Sequence, residues 1–129
     1  MLDVGYLPPA HILLLFLFGS GVQHLAFATA DMFATVECLE RNGVELLEIP
    51  ENYYDDLEAK MDLPPERLDA LKAHNILYDR DGDSEYLQVY TRSFEQRFFF
   101  EIVERRGYAG YGAANAPVRL AAQARLTDQ

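Results

Sequence analysis

One cysteine, Cys38, stands alone among the 129 residues. The chain can therefore form no internal disulfide and no cysteine-based zinc cluster. A lone thiol fits a reducing compartment, so a cytoplasmic location is expected. Basic residues are scarce, with 11 Lys and Arg against 21 Asp and Glu and a formal net charge of −10. Phosphate backbones and anionic lipid surfaces repel such a chain, so neither nucleic acid nor membrane is expected as a partner. No apolar run reaches the roughly 20 residues that a bilayer-spanning helix needs. The longest runs only from Ile12 to Phe18. Asp3 precedes it and no Lys or Arg does, which argues against a secretory signal. A Gly-rich phosphate loop, a Ser-His-Asp order and a CxxC pair are also missing.

What is present reads as one domain with a sizeable core, since half the residues are hydrophobic and a quarter are charged. Composition changes at Gly19-Ser20-Gly21. Residues 1–20 form an atypical apolar segment, a buried strand or a sticky stretch from an unusual start. Residues 21–129 form the module. Val22 to Ala28 alternates, with Val22, His24 and Ala26 on one face of a strand. Thr29 or Asp31 can cap a helix from Met32 to Asn42, and Gly43 can end it. Val44 to Ile49 reads as a second strand. Helices follow near Tyr53 and from Pro64-Pro65. Ile76 to Tyr78 pairs briefly, and Asp-Gly within Asp79–Asp83 marks a turn. Glu85–Thr91 and Arg97–Glu104 are the last strands, and a closing helix runs from Pro117 to Leu126. The fold class is α+β, a βαβββ module with a curved mixed sheet. Its concave face is expected to need cover from a second module.

Few residues stand out chemically. His74 lies in a charged helix end and reads as solvated, and His11 follows Pro8-Pro9. His24 sits mid-strand on a face of small apolar residues, where a satisfied core histidine is the commoner outcome. Glu101 alters that balance, because it lies in the apolar run Phe98 to Val103. A carboxylate buried there needs a cation, a donor or a proton. A metal ion held by His24 and Glu101 would account for both groups, and two His with one carboxylate is the non-haem Fe(II) arrangement. Gln88 shares its face with Tyr86 and Tyr90 and could fix a substrate oxygen or simply bond across strands. Tyr53 and Tyr54 read as packing residues. Asp79, Asp81 and Asp83 lack the rest of a calcium loop.

Six stretches in order are more specific. They are Gly21–Phe27 (GVQHLAF), Pro50–Asp55 (PENYYD), Ile76–Asp81 (ILYDRD), Leu87–Thr91 (LQVYT), Phe99–Arg105 (FFEIVER) and Gly110–Asn115 (GYGAAN). Together they resemble the C-terminal half of 4-hydroxyphenylpyruvate dioxygenase, of the vicinal oxygen chelate superfamily. The stretch from Tyr111 to Arg119 looks most like the dioxygenase-like module fused to a 3-dehydroshikimate dehydratase barrel. The resemblance implies Fe(II), or another divalent metal, with His24 as second histidine ligand and Glu101 as the carboxylate. The first histidine of the family lies upstream of this chain, so the ligand set here is incomplete. It also implies Gln23 and Gln88 as catalytic residues and Phe99, Tyr90, Tyr111 and Asn115 around the substrate. Ala116 replaces a family phenylalanine that packs on the substrate ring.

Two functions follow as expectations. One is an Fe(II)-dependent dioxygenase domain of aromatic catabolism, acting on a small aromatic 2-oxo acid. The other is a truncated, non-catalytic binding or assembly module that dimerises. Either a homodimer or a missing upstream module would supply the partner for the open sheet.

Overall fold

The computed structural model describes residues 13–16, 22–94 and 98–127, with side chains left aside at 13–16, 22, 23 and 127. Ten elements follow in order. Strand β1 is Leu13–Phe16 and β2 is Val22–Ala28. Three helices follow: α1 (Met32–Arg41), α2 (Glu51–Lys60) and α3 (Pro65–Ala73). Strands β3 (Leu77–Asp81), β4 (Ser84–Tyr90) and β5 (Phe99–Arg106) come next. A 3-10 turn at Ala113–Asn115 leads into α4 (Ala116–Thr127). The sheet order is β1-β2-β5-β4-β3. Only the β2–β5 pair is parallel; the other three ladders are antiparallel.

Local chemistry accounts for the helix that carries the crossover. Asp31 is extended and accepts from the Ala34 amide at 3.1 Å, which satisfies one free donor of the first turn of α1. Met32, Val36 and Leu39 recur at helical spacing and are buried. Burial of each contributes about 1.5–3 kcal/mol. They pack on the outer sheet face with Leu71, Leu87, Val89 and Ile102. Phe33, beside that stripe, is only partly buried, with its ring against His74.

The second strand of the βαβββ unit is not at residues 44–49. Val44 to Ile49 makes a single bridge, Leu46 to Thr91, although Leu47 and Ile49 are buried. Its place along β4 is taken by β3, which pairs five residues from Leu77–Gln88 to Asp81–Ser84. The β3–β4 hairpin turns tightly through Gly82, whose φ of 60° suits glycine. A hairpin partner so close in sequence wins β4's edge at little loop-closure cost, leaving residues 44–49 only its end. The apolar run at 12–18 does contribute a strand, β1, on the outer side of β2.

The concave face is partly covered by the chain itself. His24, Gln88, Tyr90, Phe99 and Glu101 are all buried within one chain. The 3-10 turn and α4 lie over this face: Asn115 bonds Gln88, and Arg119 of α4 stands over Tyr90 and Phe99. These residues are thus covered from within the chain, while a cavity opens beside them on the same face. No helix among the described residues is long and apolar enough to cross a membrane.

Candidate functional site

Strand parity builds the site. On β2 the inward residues are His24, Ala26 and Ala28, and their partners on β5 are Phe99, Glu101 and Val103. On β4 the partners of Glu101, Val103 and Arg105 are Tyr90, Gln88 and Tyr86. One concave face therefore collects His24, Glu101, Gln88, two tyrosines and Arg105. A cavity of about 350 Å³ opens there, lined by His24, Tyr86, Tyr90, Glu101, Arg105 and Arg119 among others.

His24 and Glu101 meet at its base. Nε2 of His24 lies 3.2 Å from Oε2 of Glu101, and both side chains are more than nine-tenths buried. The imidazole stacks on Phe99, with ring centroids 4.7 Å apart. Its Nδ1 is buried without a hydrogen-bond partner among the described residues. The other carboxylate oxygen, Oε1, accepts from the Gln88 amide at 3.0 Å and from the Tyr86 hydroxyl at 3.4 Å. Burial, and then the Glu101 charge, push the Tyr86 and Tyr90 hydroxyls well above the ordinary tyrosine range. Both stay protonated and able to donate.

The Gln88 amide is fixed from behind. Asn115 donates to its Oε1 at 3.0 Å, and Gln88 Nε2 also reaches the Tyr90 hydroxyl at 2.6 Å. Tyr53 in turn donates to Asn115 Oδ1 at 3.0 Å, and its oxygen accepts from the Tyr78 amide at 2.8 Å. With donor and acceptor ends both committed, the Gln88 amide can only present its NH₂ to Glu101. Gly112 completes the contact. Its φ is +64°, and a methyl group there would strike the Tyr86 ring and the Gln88 carbonyl oxygen.

Of the residues singled out in the sequence, His24, Glu101, Tyr90 and Tyr111 line the cavity. Gln88, Phe99 and Asn115 lie buried behind its wall rather than on it. The Gln23 side chain falls outside the described residues. Tyr86, Arg105, Arg119 and Tyr53 were passed over as site residues. Parity with Gln88 and Glu101 marks the first two; Arg119 follows Ala116 by one helical step. Tyr53 bears no local sign, since it reaches Asn115 across 62 positions.

Two protein ligands are placed for a metal. With bonds of about 2.1 Å, neighbouring ligands at right angles on an octahedral ion stand about 3.0 Å apart, close to the His24–Glu101 separation. The donor set, one imidazole and one carboxylate, suits Fe(II) or a similar divalent ion. Among the described residues no group of three candidate ligands occurs.

No family model matches the chain. It is 60% identical over 108 residues to a 3-dehydroshikimate dehydratase of Pseudomonas aeruginosa, spanning 82% of this chain and 17% of that protein. It is 41% identical over 104 residues to a 4-hydroxyphenylpyruvate dioxygenase of Tetrahymena thermophila, covering 75% of this chain and 26% of the relative. Among solved structures, a xylose isomerase-like TIM barrel/4-hydroxyphenylpyruvate dioxygenase fusion protein superposes with a TM-score of 0.80 at 56% identity. That match covers 84% of this chain and 18% of the fusion. The chain thus spans less than a fifth of the first and third of these proteins and about a quarter of the second. The resemblance read from the sequence stands on these matches: the chain is similar to the 4-hydroxyphenylpyruvate dioxygenase-type domain, including the kind joined to a dehydratase barrel.

Proposed function

We propose that this chain is the metal-binding part of a dioxygenase-type domain, in which His24 and Glu101 supply two ligands to Fe(II) or a related divalent ion. The observation that carries the reading is the buried His24–Glu101 pair at the base of a cavity, set at the spacing of neighbouring metal ligands. A companion module, upstream in a longer protein or from a second copy, would supply the third ligand. When bound, such an ion orients a chelating substrate and supports oxygen chemistry that side chains cannot perform. The residues of this chain do the rest. Gln88 and Tyr86 hold the Glu101 carboxylate, Phe99 holds the His24 ring, and the walls formed by Tyr86, Tyr90 and Tyr111 accept an aromatic ligand. A small aromatic 2-oxo acid is the substrate class that the relatives suggest, and Cys38, a free thiol, is consistent with a cytoplasmic setting.

Anaerobic calorimetry with Fe(II) tests this. Two protein ligands should give binding on the order of micromolar or weaker, lost in His24→Ala and Glu101→Ala. Sub-micromolar binding that survives His24→Ala would place the site elsewhere.

A second reading has its own support. Both Glu101 oxygens already have protein neighbours: Nε2 of His24 stands 3.2 Å from one, and Gln88 with Tyr86 donates to the other. A carboxylate satisfied without metal suits a non-catalytic assembly module. If Fe(II) binding is undetectable while the wild-type chain folds, this second reading replaces the first.

A further inference from the structure

The cavity's charge runs against that of the chain. Arg105 and Arg119 both line it, and Glu101 is the one carboxylate among the lining residues. Four other cations do meet acids: Arg67 and Arg106 reach Glu85, Arg92 reaches Glu45 and Lys72 reaches Glu51, whereas Arg41, Lys60, Arg80 and Arg125 lie outside the cavity without an ion pair among the described residues. Among the described residues neither Arg105 nor Arg119 has an acidic partner within ion-pair distance.

Both lie against aromatic rings instead. Arg105 stands 5.3 Å from the Tyr86 ring centroid and 5.1 Å from that of Tyr111, and its Nε donates to the Gly110 carbonyl at 3.2 Å. Arg119 stands 5.7 Å from Tyr90 and 5.3 Å from Phe99, and its Nη1 donates to Gln123 Oε1 at 3.1 Å. These contacts orient the guanidinium groups without neutralising them. Two cations, Arg105 at the exposed rim and Arg119 further in, against the single carboxylate of Glu101 leave the hollow with net positive charge in a chain of net charge −10, which favours anions.

The two cations mark different ends. Arg119 covers Phe99, whose ring stacks on His24, and so belongs to the His24–Glu101 end. Arg105 lies on the same face of β5 as Glu101, about 13 Å of strand further on. We propose that the cavity takes a small aromatic dianion with an acidic group at each end. One end sits by Arg119 and the His24–Glu101 pair, and the other is gripped by Arg105. This names the substrate class and rests on reading the cavity as the substrate site, but it does not depend on metal.

The test is an NMR titration of the full chain in EDTA with terephthalate, benzoate and benzamide. Terephthalate is expected to bind about tenfold more tightly than benzoate, with benzamide weakest. Arg105→Gln should bring the terephthalate preference below about twofold while leaving benzoate unchanged, and Arg105→Lys should restore most of it. Arg119→Gln should weaken both anions. A wild-type ratio near one, no binding of any probe, or a preference that survives Arg105→Gln would overturn the proposal. Because the titration holds no metal, failure of Fe(II) binding at His24 and Glu101 leaves its outcome untouched.

Discussion

Strand β5 buries two glutamates three residues apart, one on each face of the sheet, and they are satisfied in opposite ways. Glu104, on the outer face, accepts from the Met32 amide at 2.7 Å and from the Arg106 guanidinium. A permanent cation and a helix N-terminus fix its charge, and its bond to Met32 ties the last strand to the first helix. Glu101, on the inner face, has only an imidazole, a carboxamide and a phenol around it. None of these is a permanent cation, and the carboxylate faces a cavity. Glu104 is a carboxylate used up by the fold; Glu101 is one held in place and left with charge to offer.

Replacing each glutamate breaks this comparison most directly. Glu104→Ala leaves the Met32 amide without its acceptor and Arg106 with only its longer contact to Glu85, and should cost about 3 kcal/mol in chemical denaturation. The figure is at the low end for a buried pair because Arg106 is half exposed. An unchanged midpoint would mean that Asp31 alone caps the helix. Gly112→Ala should cost about 2 kcal/mol and shift the NMR signals of Tyr86 and Gln88, since it adds a methyl at positive φ against both. Glu101→Gln should change stability by only about 1 kcal/mol, because a carboxamide can still accept from Gln88 and Tyr86, yet it should abolish divalent-metal binding. A loss as large as that of Glu104→Ala would show that Glu101 is as structural as its neighbour.

The smallest effect is a titration. Burial raises the hydroxyls of Tyr53, Tyr54, Tyr86 and Tyr90 above the ordinary value of 10.0. The native chain keeps these protons where the unfolded chain loses them. Their contribution to stability is full below pH of about 10 and declines as pH rises beyond it. Ultraviolet difference spectra should show these four resisting ionisation until the chain unfolds, and a full tyrosinate signal from folded protein at pH of about 11 would refute this.

The sheet faces were legible because alternation is a local rule. His24 and Glu101 each stood out as a polar residue on an apolar strand, and parity alone put Tyr86 and Tyr90 beside Gln88. The cap, open between Thr29 and Asp31 in the sequence and made by Asp31, and the start at Pro64-Pro65 were equally local. Residues 44–49 misled because a short apolar stretch reports burial and not which neighbour wins the hydrogen bonds. The bonds of Asn115 to Gln88 and Tyr53 were not legible, because those partners are set by where α2 and the 3-10 turn settle. Cover of the concave face by α4 was likewise hidden, since the helix has only a weak apolar stripe, with Ala122 as its one fully buried hydrophobic residue.

The parallel pairing of β2 with β5 has a consequence for the order of events in folding. His24 belongs to the first strand of the βαβββ unit and Glu101 to its last, with three helices and a hairpin between them. A nascent chain can close the β3–β4 hairpin and wind α1 long before either residue finds the other. The cavity therefore forms only in the final, long-range closure, when β5 slides between β2 and β4 and pairs along both of its edges at once. Slow closure of this kind leaves β2 and β4 as open edges in the meantime, so translation rate and chaperone access bear on this module more than its size suggests.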